Sequence, residues 1–120
     1  MLTRQISKQE WRSTLDSLSR TYAGSIVSLE VAGGEVGAEE QLRNQPLRGI
    51  TSDRSGVSVI VEKKDGIHIG HRIAQPEIVR LVETSDGSVM AVEIEETDGT
   101  CSLIRFRSAV RPEVLDAAVE

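Results

Sequence analysis

Apolar and polar residues alternate with a period of two through much of the chain, most clearly from Ile78 to Arg107. Met90, Val92 and Ile94 stand against Ala91, Glu93 and Glu95, the pattern of a strand with one face on a core and the other in water. Thr97-Asp98-Gly99 suits a three-residue hairpin loop, which sets Val92 opposite Ile104 and Met90 opposite Phe106. A slip by one residue would turn one strand inside out, so the apolar faces select this register. Upstream, Asp86-Gly87 read as a two-residue turn pairs Leu81 with Val92 and Val79 with Ile94, leaving Arg80 outside.

The same alternation recurs earlier. Val27, Leu29 and Val31 mark a strand from Ser25 to Val31, and Leu47–Thr51 is a short one introduced by Pro46. Val57, Val59 and Val61 follow the turn Asp53-Arg54-Ser55-Gly56. With Lys64-Asp65-Gly66 as the next loop, Val61 faces Ile69, Val59 faces His71 and Val57 faces Ile73. Residues 32–45 hold Gly33, Gly34, Gly37, Glu35, Glu39 and Glu40 without a sustained period, and read as a long acidic loop.

Before the first strand the period changes to that of a helix. Ser7-Lys8-Gln9-Glu10 has the form of a capping box, and Ile6 with Trp11 would staple the start. Trp11, Leu15, Leu18 and Tyr22 then share one face, and Gly24 is placed to end the helix. Pro112 at a first helical position suggests a short terminal helix over 112–119. The expectation is one domain over 1–120: a helix over 7–23, a β-rich body over 25–107 with the loop at 32–45, and the small C-terminal helix. Its class is α+β, an N-terminal amphipathic helix packed on a strongly bent antiparallel sheet of about five to seven strands, whose closed form is a small Sm/SH3-like barrel.

Composition narrows the function classes. A formal charge of −5 repels a phosphate backbone unless basic residues gather on one face, and the three aromatics Trp11, Tyr22 and Phe106 offer little base stacking. Cys101 is alone, which excludes an internal disulfide and points to a structural thiol. The start MLTRQISKQEW lacks an apolar signal region and no run of about eighteen apolar residues follows, so a cytoplasmic protein with no membrane segment is expected.

No nucleophile elbow, phosphate loop or calcium loop is present, and no cofactor or metal is expected. The catalytic candidate is His71, as a general base beside Glu62 or Glu83. His68 lies three residues away on the opposite face, so the two do not chelate one ion. Glu93, Glu95, Glu96 and Asp98 read as a solvated face paired with Arg105 and Arg107. A nucleic-acid rim would draw on Arg43, Arg48, Arg54, Lys63 and Lys64.

Leu2-Thr3-Arg4, Ser7 to Trp11 with Leu15-Asp16, Ser28-Leu29-Glu30-Val31, Pro46-Leu47 with Gly49-Ile50, and Leu103 to Ser108 together resemble a family of small bacterial proteins with a domain-of-unknown-function label. The resemblance implies a bacterial origin and one domain; no catalytic or binding residue carries over with it. The expected function is a non-enzymatic interaction module with a protein partner or a homo-oligomer. The alternatives are an Sm-like RNA-binding protein and a small hydrolase or isomerase using His71.

Overall fold

The computed structural model describes residues 2–33 and 37–107. The fold is α+β; among the described residues there are strands β1 (Leu2–Ile6), β2 (Ile26–Ala32), β3 (Ala38–Asp53), β4 (Gly56–Glu62), β5 (His68–Ile73), β6 (Pro76–Glu83), β7 (Val89–Glu96) and β8 (Cys101–Phe106) and one α-helix, α1 (Trp11–Tyr22). They form one antiparallel sheet in the order β1-β6-β7-β8-β2-β3-β4-β5, eight strands rather than five to seven.

That order dictates a strong bend. β5 and β6 stand six places apart in the sheet, a separation of roughly 29 Å if it were flat. Only Ala74 and Gln75 link them, and the step from Ile73 to Pro76 reaches at most about 11 Å. The sheet must therefore coil until its two ends nearly meet. It does not close into an Sm/SH3-like barrel, because β1, unforeseen in the sequence, pairs along β6 from Ile6↔Val79 to Leu2↔Glu83 and occupies the edge that β5 would need.

α1 lies on the concave side, and its buried face is Trp11, Leu15, Leu18 and Tyr22 as the spacing requires. Its start differs from expectation. Lys8–Glu10 form a 3-10 turn, so the Glu10 N–H already bonds the Ser7 carbonyl (2.9 Å). The Ser7 hydroxyl then donates to Glu10 Oε1 (2.8 Å), a side-chain pair in place of the reciprocal capping box. Ile6 and Trp11 are both buried, and Trp11 Nε1–H donates to the Ile6 carbonyl at 3.0 Å. Tyr22 packs on Phe106 with ring centroids 5.0 Å apart and the rings tilted by 44°, tying the helix end to the last strand.

The β4–β5 register is the expected one, with Val61↔Ile69, Val59↔His71 and Val57↔Ile73. So are Leu81↔Val92, Val79↔Ile94 and Val92↔Ile104. Met90 is the exception. Val82 pairs with Ala91 and Glu83 with Val89, leaving Met90 as a bulged extra residue that the ladder to β8 does not include. The bulge turns Met90 away from the core row in which its alternation had placed it.

The acidic loop over 32–45 is a second correction. From Ala38 onward this segment is the first half of β3, paired with β2 through Ala32↔Ala38, Val31↔Glu39, Glu30↔Glu40 and Leu29↔Leu42. An available ladder edge on β2 outweighs the poor strand propensity of its glutamates. The expected helix over 112–119 lies outside the described residues.

Candidate functional site

Two adjacent register shifts between β2 and β3 make an irregular stretch of the sheet. Between Leu42, opposite Leu29, and Gln45, opposite Val27, the chain accommodates Arg43 and Asn44 against Ser28 alone. Asn44 takes a left-handed conformation (φ 50°), and among the described residues no other non-glycine has a positive φ. Its N–H donates to Ser28 Oγ at 3.0 Å, which holds the kink in place.

A groove of ≈ 310 Å³ opens at this bulge on the sheet face away from α1, lined by Ser28, Glu30, Arg43, Asn44, Arg105 and Arg107 among others. Arg105 reaches Glu30 at 3.5 Å and Arg43 reaches Glu40 at 3.6 Å, while Arg107 has no ion pair among the described residues. Arg105 was expected to pair with the β7 glutamates. They are taken instead by Arg80, 3.6 Å from Glu93 and 3.4 Å from Glu95, since Arg80↔Glu93 is a direct cross-strand pair. A second groove, ≈ 370 Å³, continues along Val82, Met90 and Ala91 and shares Leu103, Arg105 and Phe106 with the first.

The basic residues expected to form a rim are not gathered. Lys63 and Lys64 sit in the turn after β4, whereas Arg54 sits in the turn before it, at the other end of the strand. Arg48 is the extra residue of a bulge, between the pairs Leu47↔Val61 and Gly49↔Ile60. Arg43 alone of the five enters the arginine groove.

His71 is half-buried on β5, opposite Val59. Burial holds its pKa below the ordinary value, with the charge of Glu96 pulling the other way. The carboxylates suggested for it are engaged elsewhere: Glu62 lies 3.5 Å from His68, and Glu83 pairs with Arg4 at 3.1 Å. The Cys101 thiol is pushed up by burial and by Glu93 and Glu95, the opposite of what a nucleophile needs. Among the described residues, no three His, Cys, Asp or Glu side chains gather to hold a metal ion. No helix among them is long and apolar enough to cross a membrane.

The sheet ends are the other notable surface. Among the described residues two large apolar side chains stand exposed, Leu2 (66%) at the start of β1 and Ile67 (58%) just before β5, one at each unpaired edge. On β5, Ile69 is only partly buried although it packs against the core.

Comparison with known proteins gives a family. The family model for DUF5335, a family of unknown function, matches residues 2–116. The chain belongs to that family. An uncharacterised protein from Aquifex aeolicus (strain VF5) is 28% identical over 110 residues, which covers 92% of this chain and 96% of the relative. No solved structure matches. The description of DUF5335 assigns no activity.

Proposed function

We propose that this DUF5335 chain is a non-enzymatic interaction module that self-associates through the free edge of β5. One observation carries the reading: at β5 an unpaired strand edge, an exposed Ile67 and an incompletely covered Ile69 coincide. An open edge presents a row of free backbone donors and acceptors, and an antiparallel copy of the same strand satisfies them. A second β5 laid against the first extends the sheet and covers Ile69, so hydrogen bonding and apolar burial favour the same contact. β1 is the poorer edge, because Ile6 is its one buried residue and its other side chains face solvent.

The alternatives have less support. Lys63 and Lys64 lie across β4 from Arg54, which weakens an Sm-like RNA reading. His71 has neither proposed carboxylate at hand, which weakens a hydrolase or isomerase reading.

Native mass spectrometry of the wild type and of Ile67→Lys tests the proposal. Twice the chain mass for the wild type and the single mass for Ile67→Lys is the expected result; Ile67 is exposed, so the substitution leaves the fold intact. A wild-type monomer at high micromolar concentration, or an oligomer indifferent to Ile67→Lys and Ile69→Lys alike, would overturn it.

A further inference from the structure

Independently of the β5 edge, we infer that the sheet face opposite α1 binds a small amphiphile: an oxyanion head at the β3 bulge with an apolar body along β8 and β7. The head site is built from both sides. Arg43 and Asn44 come from the bulged stretch of β3, and Arg105 and Arg107 come from the end of β8, with β2 between them supplying Ser28. Three guanidinium groups against the carboxylates of Glu30 and Glu40 leave one positive charge in excess.

The existing ion pairs do not block such a ligand. Arg43 and Arg105 are 78% and 62% exposed, at 3.6 and 3.5 Å from their glutamates, and exposed pairs of this kind are weak. A planar guanidinium that gives up such a contact can take an oxyanion through two parallel N–H bonds. Arg107 has no pair to give up among the described residues. The Asn44 backbone N–H is spent on Ser28, but its carboxamide makes no hydrogen bond among the described residues and remains available as a donor. Strained backbone that local contacts over-determine is a recurrent feature of ligand clamps.

The body of the ligand is specified by the neighbouring groove. Because the two grooves share Leu103, Arg105 and Phe106, they form one trough that is cationic at the β3 end and apolar at the β6 end. Val82, Met90 and Leu103 are half-exposed there, and the Met90 bulge is what brings a flexible thioether to its floor. Glu93, the acid in this part, is held by Arg80. Inorganic phosphate alone would leave the apolar half of the trough uncovered. A nucleic acid would find no exposed ring to stack on, since Trp11, Tyr22 and Phe106 are all buried.

Titration of the full chain with octyl phosphate, inorganic phosphate and octanol, read by amide NMR at low salt below micelle formation, tests the inference. Octyl phosphate should shift the amides of Asn44 and Arg105 together with those of Met90 and Leu103, and should bind at least tenfold tighter than inorganic phosphate. Arg107→Gln should weaken octyl phosphate at least threefold and leave the octanol response unchanged. Leu103→Ser should remove the advantage of the octyl chain and leave inorganic phosphate unaffected. Octanoate against octyl phosphate reads which oxyanion is preferred, and tight binding of either supports the assignment. It is overturned if neither shifts Asn44 and Arg105, if the octyl chain adds no affinity, or if Arg107→Gln and Arg105→Gln both bind like the wild type.

Discussion

Ser19 of α1 engages both backbone polar groups of Ile50 in β3. The Ile50 N–H donates to Ser19 Oγ at 2.8 Å, and the Ser19 hydroxyl lies 2.8 Å from the Ile50 carbonyl and 2.7 Å from that of Leu15. β2 stops pairing with β3 at Pro46 and Leu47 still bonds Gly24 and Ser25, so by Ile50 one side of β3 faces β4 and the other faces the helix. One side chain there does the work of a missing strand. Gly49 lies beside this contact, where an added Cβ would stand 3.7 Å from Ser19 Oγ, in ordinary van der Waals contact.

Ser19→Ala should therefore cost about 1–3 kcal/mol, the range for orphaning a buried backbone group. Urea unfolding should show a lower midpoint with an unchanged slope. A midpoint equal to that of the wild type would mean that the Ile50 groups are satisfied in another way.

Gly56 closes the β3–β4 turn with φ +130°, and a Cβ there would come 2.2 Å from the Ile73 carbonyl oxygen. Gly56→Ala should thus be among the most damaging single changes, costing more than about 3 kcal/mol and reducing the soluble yield. Gly66 is the matched control: at φ +83° with nothing within 4 Å of an added Cβ, alanine meets only the left-handed backbone penalty of about 1–2 kcal/mol. Equal melting temperatures for the two variants would contradict the packing at Ile73.

β1 should matter at one end and not at the other. Ile6 is buried and its carbonyl holds Trp11, so Ile6→Ala should cost about 2–5 kcal/mol and move the Trp11 emission to the red. Leu2→Ala, at an exposed position, should stay within about 0.5 kcal/mol. Since Trp11 is the sole tryptophan, its fluorescence reads this junction directly.

Stability should fall as the solution is acidified through the range of histidine. Burial lowers the His71 pKa from its ordinary 6.5, so the unfolded chain binds that proton first. The contribution is fully present above about pH 6.5 and is lost as pH falls toward the depressed folded-state value. Asp53 and Asp98 act at lower pH: hydrogen bonds from Ser55 and Thr100 lower their pKa values, so their contribution fades as pH falls below about 4. His71→Gln should flatten the upper part of the pH–stability curve and leave the lower part, as thermal melts from pH 8 to pH 3 would reveal.

Interactions close along the chain were legible without coordinates. The helix face of Trp11, Leu15, Leu18 and Tyr22, the β4–β5 register and the β6–β7–β8 pairings depend on local periodicity and on turns of a few residues, where apolar faces leave one workable alignment. Pairings between distant segments carry no such local signature. β1 on β6, β2 on β8 and the recruitment of the acidic stretch into β3 each depend on which edges the rest of the sheet leaves free, as does the failure of the sheet to close. The arginine groove belongs with them. Arg43 could be singled out by its charge, but its meeting with Asn44, Arg105 and Arg107 exists only because β2 brings β3 and β8 to its two sides and two register shifts push the bulge outward. Sequence alone determined the helix face and the hairpins, because their partners lie within one turn; tertiary structure decided the edges and the site, because those require distant segments to meet, as Arg4 meets Glu83, 79 residues away.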